Sequence, residues 1–289
     1  NGKVDTLCDR SNVIVICDEA HRTQYGFKAT LDSKSGRLKY GLAKYMRDAL
    51  PNAIYLGMTG TPISYEDKDT EEVFGTYIDI YDMVAAQEDG AVVQVGYESR
   101  IVELSFNEAE RQSLVEDFIK NTDQEDETQQ AQIASKYTRL EEIAISDGRM
   151  GTLAKDLIEH WELRKEQMDG KAMFVAISRP AAVKLYNEIV ALKPDWHHPD
   201  LDKGKVKVVM TGSSSDPIEF QPHRTTKTDR EFLKKRLKNP EDELEIVIVR
   251  DMWLTGFNAP PVHTLYVDKP MQGQSLMQAV TRTNRVWKD

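Results

Sequence analysis

Three short stretches hold the residue types that could do chemistry. The first is VIVICDEAHRTQYG, Val13 to Gly26, in which an apolar run gives way at once to Asp18, Glu19 and His21. A buried strand that ends in carboxylates brings negative charge to the edge of a core, so a cation is expected beside it. In open α/β sheets, ligands bind in the crevice outside the carboxyl ends of the strands. Asp18 in such a place suits Mg²⁺, held through water because this ion gives up its hydration reluctantly. Glu19 could orient or deprotonate a water that attacks a phosphoryl group. His21 is near enough in sequence to link that site to the next layer. The plainer alternative is a strand with a polar cap, and D-E-A-H alone does not decide between them.

The second stretch is MTGTP, Met58 to Pro62. Thr59 and Thr61 flank Gly60, and hydroxyls on such a turn can bond a carboxylate and relay its position. Alone it is an ordinary turn; its place one helix and one strand after D-E-A-H makes it informative. The third stretch lies near the end of the chain. Gln278, Arg282 and Arg285 are spaced i, i+4, i+7, which predicts one face of a helix. Two guanidiniums on one stripe repel each other unless an anion lies opposite. A triphosphate presented by a facing domain would satisfy them, and an arginine so placed speeds phosphoryl transfer by several powers of ten. A solvated basic face is the alternative. Leu276, Met277, Val280 and Trp287 are expected to fix this helix against a core.

Further small-residue turns follow predicted strands. DMWLTGFNAP, Asp251 to Pro260, sets Thr255 and Gly256 where backbone can approach a phosphate without Cβ interference. TGSSSD, Thr211 to Asp216, could hold a nucleic-acid phosphate through hydroxyls and backbone N–H groups, or be a plain surface loop. FLKKRLK, Phe232 to Lys238, reads as a solvated basic face, and His197 and His198 as a structural loop pair.

The elements that must position these residues follow from hydrophobic pattern. Asn12 to Cys17 reads as a strand buried on both faces, and GLAKYMRDALPNA as a helix ending at Pro51. AIYLGMTGTP is a second buried strand entering a Gly/Pro turn. YESRIVELSF could be another strand. Residues 107–147 are helical in composition and acidic, with NTDQEDETQQ as a solvated connector; the spacing of Leu140, Ile143 and Ala144 packs part of this region on something. GRMGTLAKDLIEHWELRKEQ then sets Leu153, Leu157, Ile158 and Trp161 on one side of a helix. A second strand–helix series runs through KAMFVAIS, RPAAVKLYNEIVALK, KVKVVMTGSSSD, DREFLKKRLKN, LEIVIVRDMWLTGF, HTLYVDKPM and LMQAVTRTNRVW. Such alternation implies a parallel sheet with right-handed crossovers. The expected fold is α/β, with one domain over 1–106, a helical connector over 107–147 and a second domain over 148–289.

Composition narrows the class. With 289 residues and a formal net charge of -10, the chain has room for two domains and no surface basic all over, although a local positive groove is compatible with that charge. No apolar run approaches the roughly 18 residues of a membrane span, and no signal-peptide pattern opens the chain. Cys8 and Cys17 cannot build a disulfide framework, and Cys17 reads as a small core residue. The default location is the reducing cytoplasm.

In their order, D-E-A-H, T-G-T-P, ISRPAAVKLY, DMWLTGFNAP and QAVTRTNR resemble the motor motifs of superfamily 2 helicases. More narrowly, DEAHRTQYG, EDGAVVQVGYESR, DMWLTGFNAPPVHTLYVDKPM and LMQAVTRTNRVW resemble the restriction (R) subunit of type I restriction-modification enzymes. The resemblance implies two RecA-like parallel-sheet domains that couple ATP hydrolysis, with Mg²⁺, to translocation along double-stranded DNA before cleavage. It implies partners in the methyltransferase and specificity subunits of the complex. Carried over, Asp18 is the Mg²⁺-associated acid and Glu19 the water-activating one, with His21 beside them. Thr59, Gly60 and Thr61 couple the nucleotide site to DNA, and so do Gly256 and Asn258. Arg282 and Arg285, with Gln278, face the γ-phosphate. Ser178, Arg179, Thr211, Gly212 and Thr255 fall on the DNA side.

The chain departs from the family at Asn258, where aspartate is usual: an amide accepts a hydrogen bond but brings no charge. It also contains no G-x-x-x-x-G-K-[ST], the loop whose Ser or Thr would share the Mg²⁺ with Asp18. That loop and the nuclease domain are expected before Asn1, which makes these residues the later part of a first motor domain plus a second, inactive alone. Two other readings remain open: another superfamily 2 helicase or remodeller, and a non-catalytic scaffold docking partners through its acidic connector.

Overall fold

A computed structural model describes residues 5–20, 30–31, 38–39, 42–60, 64–65, 68–100, 141, 144–213, 216–254, 256–271 and 273–287. Most of the expected connector, together with His21, Thr61 and Thr255, lies outside these. The chain forms two compact units, Asn1–Asp82 and Met83–Asp289.

In the first unit, β1 (Ile14–Cys17) pairs in parallel with β4 (Ile54–Gly57), in a register that sets Cys17 opposite Gly57. Two short antiparallel pairs, β2 (Thr30–Leu31) with β3 (Leu38–Lys39) and β5 (Ser64–Tyr65) with β6 (Lys68–Asp69), complete its strands. Helix α1 (Leu42–Ala49) crosses from β3 to β4 and stops before Pro51, as the sequence predicts. Its Arg47 lies 3.8 Å from the centroid of the Tyr55 ring and donates to the Val73 carbonyl at 2.8 Å, tying β4 to α2 (Thr70–Phe74). Cys17 is buried, as expected of a small core residue. The expectation of a first strand buried on both faces is corrected: Ile14, Ile16 and Ile54 are each at least 60% exposed. Among the described residues β1 pairs with β4 alone, and the face that carries Ile14, Ile16 and Ile54 is exposed.

The second unit begins with α3 (Met83–Glu88) and an extended strap to Arg100, followed after the undescribed stretch by α4 (Asp147–Gln167). Of the strand expected over Tyr97–Phe106, Tyr97–Arg100 is extended without sheet pairing, and residues 101–106 lie outside the described residues. The strap is nonetheless pinned, since Arg100 forks onto both Asp156 oxygens of α4 at 3.0 and 2.7 Å. The chain continues through β7 (Lys171–Ala176), α5 (Arg179–Leu192), β8 (Val206–Val208), α6 (Lys227–Lys238), β9 (Ile246–Val249), β10 (Val262–Asp268) and α7 (Gly273–Val280). The four strands form one sheet in the order β10-β7-β9-β8, all parallel.

Alternation along the central strands separates two cores. Ala172, Phe174 and Ala176 of β7 and Ile246 and Ile248 of β9 join Leu153, Leu157, Ile158 and Trp161 of α4 and the buried face of α5. Met173, Val175, Val247 and Val249 point the other way, onto Leu233 and Leu237 of α6, Ala279 of α7 and the loop residues Trp253, Leu254 and Phe257. Every residue of β7, β8 and β9 is buried, as expected for a parallel sheet covered on both faces. Gly170 introduces β7 at φ 137°, and a Cβ there would stand 2.0 Å from the His263 ring, so glycine is required.

The amino-terminal edge of this sheet is held by buried cations. Arg236 is corrected from a solvated position to one 4% exposed. It donates to Asp242 at 3.0 Å and to the carbonyls of Leu201 at 2.8 Å and Lys203 at 3.2 Å. Lys171 donates to the carbonyls of Arg236 and Asp242, and Lys207 to those of His198 and Asp200. Burial pushes the Lys171 ammonium down to about 8. His197 serves the same region structurally, 2.6 Å from the Tyr186 hydroxyl.

Arg236→Ala strands Asp242 and the carbonyls of Leu201, Lys203 and Gly204, and removing one partner of a buried pair costs about 3–5 kcal/mol. Urea unfolding should show that loss as a lower midpoint at constant slope; a change below about 1 kcal/mol would contradict the network's role. His223 and His263 are half-buried and held neutral, desolvation pushing each down to about 4. Their unfolded forms bind protons below about 6.5, so stability is complete above that pH and is lost as pH falls toward 4. His223→Phe should flatten this slope in thermal melts taken across that window, and an unchanged slope would exclude His223 as a source.

Candidate functional site

The two motifs of the first unit are brought together by neighbouring parallel strands. Asp18 and Glu19 follow β1, Thr59 and Gly60 follow β4, and the backbone laces the two turns. Met58 N–H donates to the Cys17 carbonyl at 2.9 Å, and Ala20 N–H to the Met58 carbonyl at 3.1 Å. Asp18 is exposed at this edge, and one of its oxygens accepts the Glu19 N–H at 2.8 Å. Glu19 adopts φ 49°, the left-handed region a long side chain rarely occupies. The alanine that follows is buried at 0% exposure, so the turn is anchored in the core just past its acids. Gly57 permits the close fit beneath, because a Cβ there would stand 2.9 Å from the Phe74 ring.

An exposed carboxylate fits Mg²⁺, which prefers one or two carboxylates with water and substrate phosphates to a cage made by protein. Among the described residues no group of three or more His, Cys, Asp or Glu gathers as such a cage. Asp18 would hold the ion, and Glu19 is the carboxylate next to it in the chain.

In the second unit the carboxyl edge of the sheet carries the other residues. After β9 the loop turns through Trp253 at φ 67° and Gly256 at φ 64°. Trp253, Phe257 and Ala259 are buried while Gly256 and Asn258 are exposed, so the loop roots its apolar residues and presents the polar ones. Arg282 holds this loop from the chain's end: its guanidinium donates to the Phe257 carbonyl at 2.5 Å and to the Gln278 carbonyl at 3.1 Å.

The single helical face expected for Gln278, Arg282 and Arg285 is corrected. Helix α7 ends at Val280; Arg282 and Thr283 close 3-10-type turns onto the Ala279 and Val280 carbonyls, and Arg285 bridges Val92 in antiparallel fashion. The Thr281 and Thr283 hydroxyls bond the Gln278 and Val280 carbonyls, competing with helical continuation. Strap pairing then captures the extended chain, with Val93 N–H donating to the Asn284 carbonyl at 2.8 Å. Leu276 and Met277, expected in a core, are each 38% exposed, and Ala279 is the residue that packs.

On the same edge, Ser178 caps α5 by accepting the Ala181 N–H at 3.2 Å, and Arg179 opens that helix. Thr211 and Gly212 follow β8 and are exposed. Two residues not singled out in the sequence join them. Asp216 lies 2.5 Å from Arg179, and Arg224 lies 3.7 Å from Asp216. The signal available was an acid closing a small-residue turn, with an arginine eight residues beyond it.

This architecture is that of a parallel α/β protein with polar turns at the carboxyl edges of its sheets, the arrangement of nucleotide-dependent motors. The SWI2/SNF2 ATPase family matches residues 1–131, and type I restriction enzyme subunit R domain 3 matches residues 218–289. The endonuclease subunit of the HindI type I restriction enzyme of Haemophilus influenzae is 46% identical over 97% of this chain and 26% of its own length. A Methanocaldococcus jannaschii chain named for the MjaIXP type I restriction enzyme is 41% identical over 98% of this chain and 25% of its own. A solved fragment described as an HsdR subunit from Vibrio vulnificus YJ016 shares the fold at a TM-score of 0.51, with 15% identity over 85% of this chain and 39% of that one. The chain therefore corresponds to part of the restriction (R) subunit of type I restriction enzymes, within its helicase-like, ATPase-type region. It spans about a quarter of the length of the two curated relatives.

The left-handed backbone at Glu19 has a measurable consequence. Asparagine tolerates that conformation better than glutamate, so Glu19→Asn should leave the thermal midpoint unchanged or raise stability by up to about 1 kcal/mol. A loss larger than that would show that side-chain contacts, not backbone geometry, set this turn.

Proposed function

We propose that this chain is the motor portion of a type I restriction endonuclease subunit, hydrolysing ATP to translocate double-stranded DNA before cleavage. The observation that carries this reading is the lacing of the Asp18–Glu19 turn to the Met58–Gly60 turn through the Ala20 and Met58 amides. A shift at the acids then moves the threonine turn, and this mechanical link is what coupling hydrolysis to movement requires. ATP with Mg²⁺ supplies the phosphoanhydride. Asp18 positions the ion, and Glu19 orients the attacking water and accepts its proton. Arg282 and Arg285 neutralise charge on the transferred phosphoryl group, and Gln278 sits beside them. Thr59, Gly60, Thr61, Gly256 and Asn258 transmit the change, and His21 links the acids to the next layer.

The DNA side is formed by Ser178, Arg179, Thr211, Gly212 and Thr255, which position backbone phosphates without reading sequence. The RecA-like domains, joined through residues 107–147, work in the cytoplasm with methyltransferase and specificity subunits. Among the described residues no helix is long and apolar enough to cross a membrane. Since the chain holds no G-x-x-x-x-G-K-[ST], these residues alone are expected not to hydrolyse ATP.

The test uses the full-length subunit with DNA. Glu19→Gln should lower ATP turnover by about 10²–10⁴-fold while nucleotide binding persists, as loss of a general base does. Arg282→Gln should lower it by about 10³-fold or more with KM little changed. Hydrolysis unaffected by Glu19→Gln would overturn the motor reading in favour of a scaffold.

A further inference from the structure

The carboxyl edge of the second unit's sheet contains an anion cradle that is already filled. Arg179, the first residue of α5, directs Nη2 to Oδ2 of Asp216 at 2.5 Å. The same oxygen accepts the Ser213 N–H at 2.6 Å and lies 3.7 Å from Nε of Arg224. Arg224 Nη2 donates to the Asp216 main-chain carbonyl at 3.4 Å. The aspartate side chain is 9% exposed, whereas both arginines are 30% exposed, so the acid sits inside and its cations face outward.

Two features separate this cluster from a surface ion pair. The Nε atoms of Arg179 and Arg224 are buried and have no hydrogen-bond partner, although a guanidinium presents a planar fork suited to two oxygens at once. Among the described residues the cradle therefore has more donors than its one carboxylate satisfies, and two guanidiniums against one carboxylate leave a net positive charge. The site is also built to hold Arg224 close. A Cβ on Gly212 would stand 2.4 Å from Arg224 Cγ, so glycine lets the arginine stem lie across the turn. The backbone of Ser213, the Arg179 fork and the amino-terminal end of α5 together offer what a phosphate oxyanion requires.

We infer that Asp216 is a resident competitor for nucleic-acid phosphate: its carboxylate occupies the Arg179–Ser213 cradle, and a DNA phosphodiester docks there by displacing it. This inference rests on the DNA-facing reading of the edge and adds to it a residue that sets the strength of the contact. Asp216 makes phosphate binding an exchange of one anion for another, so each contact is weak and quickly released. A protein that moves along DNA needs contacts of that kind. The Ser213 amide and then Arg179 lower the Asp216 carboxyl below its usual range, so it is a charged competitor at neutral pH.

The experiment titrates a labelled duplex of arbitrary sequence with the full-length subunit at several salt concentrations, without nucleotide. Asp216→Asn should bind about tenfold more tightly, with a salt slope steeper by about one, the signature of one phosphate contact no longer offset by a displaced carboxylate. Asp216→Glu keeps the charge and should remain near the parent affinity. Arg179→Gln should weaken binding, and combined with Asp216→Asn it should cancel the gain. If Asp216→Asn lowers the melting temperature, Asp216→Ser retains an acceptor for the Ser213 amide and carries the same expectation. Weaker or unchanged DNA binding in a folded Asp216→Asn protein, with Arg179→Gln still weakened, overturns the competitor role and leaves the DNA face standing. No effect from Arg179→Gln overturns both.

Discussion

All strands of a parallel sheet end on one edge, and the rest of this molecule's organisation depends on that constraint. Two turns far apart in sequence become neighbours when the strands before them pair in register, with no side-chain recognition needed. In the first unit the pairing of Cys17 with Gly57 sets Asp18 beside Met58, and two backbone hydrogen bonds then lock the turns. In the second unit the same rule gathers the turns that follow four strands, those beginning at Ile177, Val209, Arg250 and Lys269.

The two edges of the second sheet use charge in opposite ways. On the amino-terminal edge, Lys171, Lys207 and Arg236 are buried, and backbone carbonyls absorb most of their hydrogen-bonding capacity. Carbonyl dipoles can solvate a cation without carrying a charge that a ligand could displace, so this edge is closed. On the carboxyl edge, Arg179 and Arg224 are partly exposed and, among the described residues, are answered by one aspartate, with their Nε atoms left over. That edge is open to an incoming anion. The same residue types thus meet fixed dipoles at one end of the strands and a replaceable charge at the other, which is the difference on which the proposed phosphate contact rests.

The strap over Met83–Arg100 joins the end of the chain to the second unit's framework. It pairs with Asn284 and Arg285 and forks Arg100 onto α4, so the arginines near the C-terminus are set by an extended segment rather than by a helix. Arg282 is meanwhile tied to the Phe257 carbonyl, which connects the LTGF loop to the residues proposed to meet phosphate. Asn258 is exposed on that loop, where an amide in place of a carboxylate leaves the Arg282 tie intact and changes only what the loop presents.

Much of the second unit was legible from hydrophobic pattern. Strands such as IVIV and helices such as α4 declare themselves because their periods match the surfaces they bury, and Leu153, Leu157, Ile158 and Trp161 fall where helical spacing puts them. The polar turns were legible as well, since small and acidic residues placed directly after a buried strand have little other use. Three things were not. The end of α7 was decided by hydroxyls that bond back to its carbonyls and by pairing with a strap about 190 residues earlier, contacts invisible to a local window. The burial of Arg236 depended on a loop that supplies carbonyls from outside its helix. Ile14 and Ile16 look like core residues in sequence, yet whether a face is covered depends on what lies against it. Sequence alone determined the alternation of strands and helices in the second unit and which turns would carry charge, because those follow from local periodicity and residue chemistry. Only the tertiary structure decided which charges are spent on dipoles, which are answered by one another and which stand ready for a ligand, because electrostatic partnership is set by distance in space.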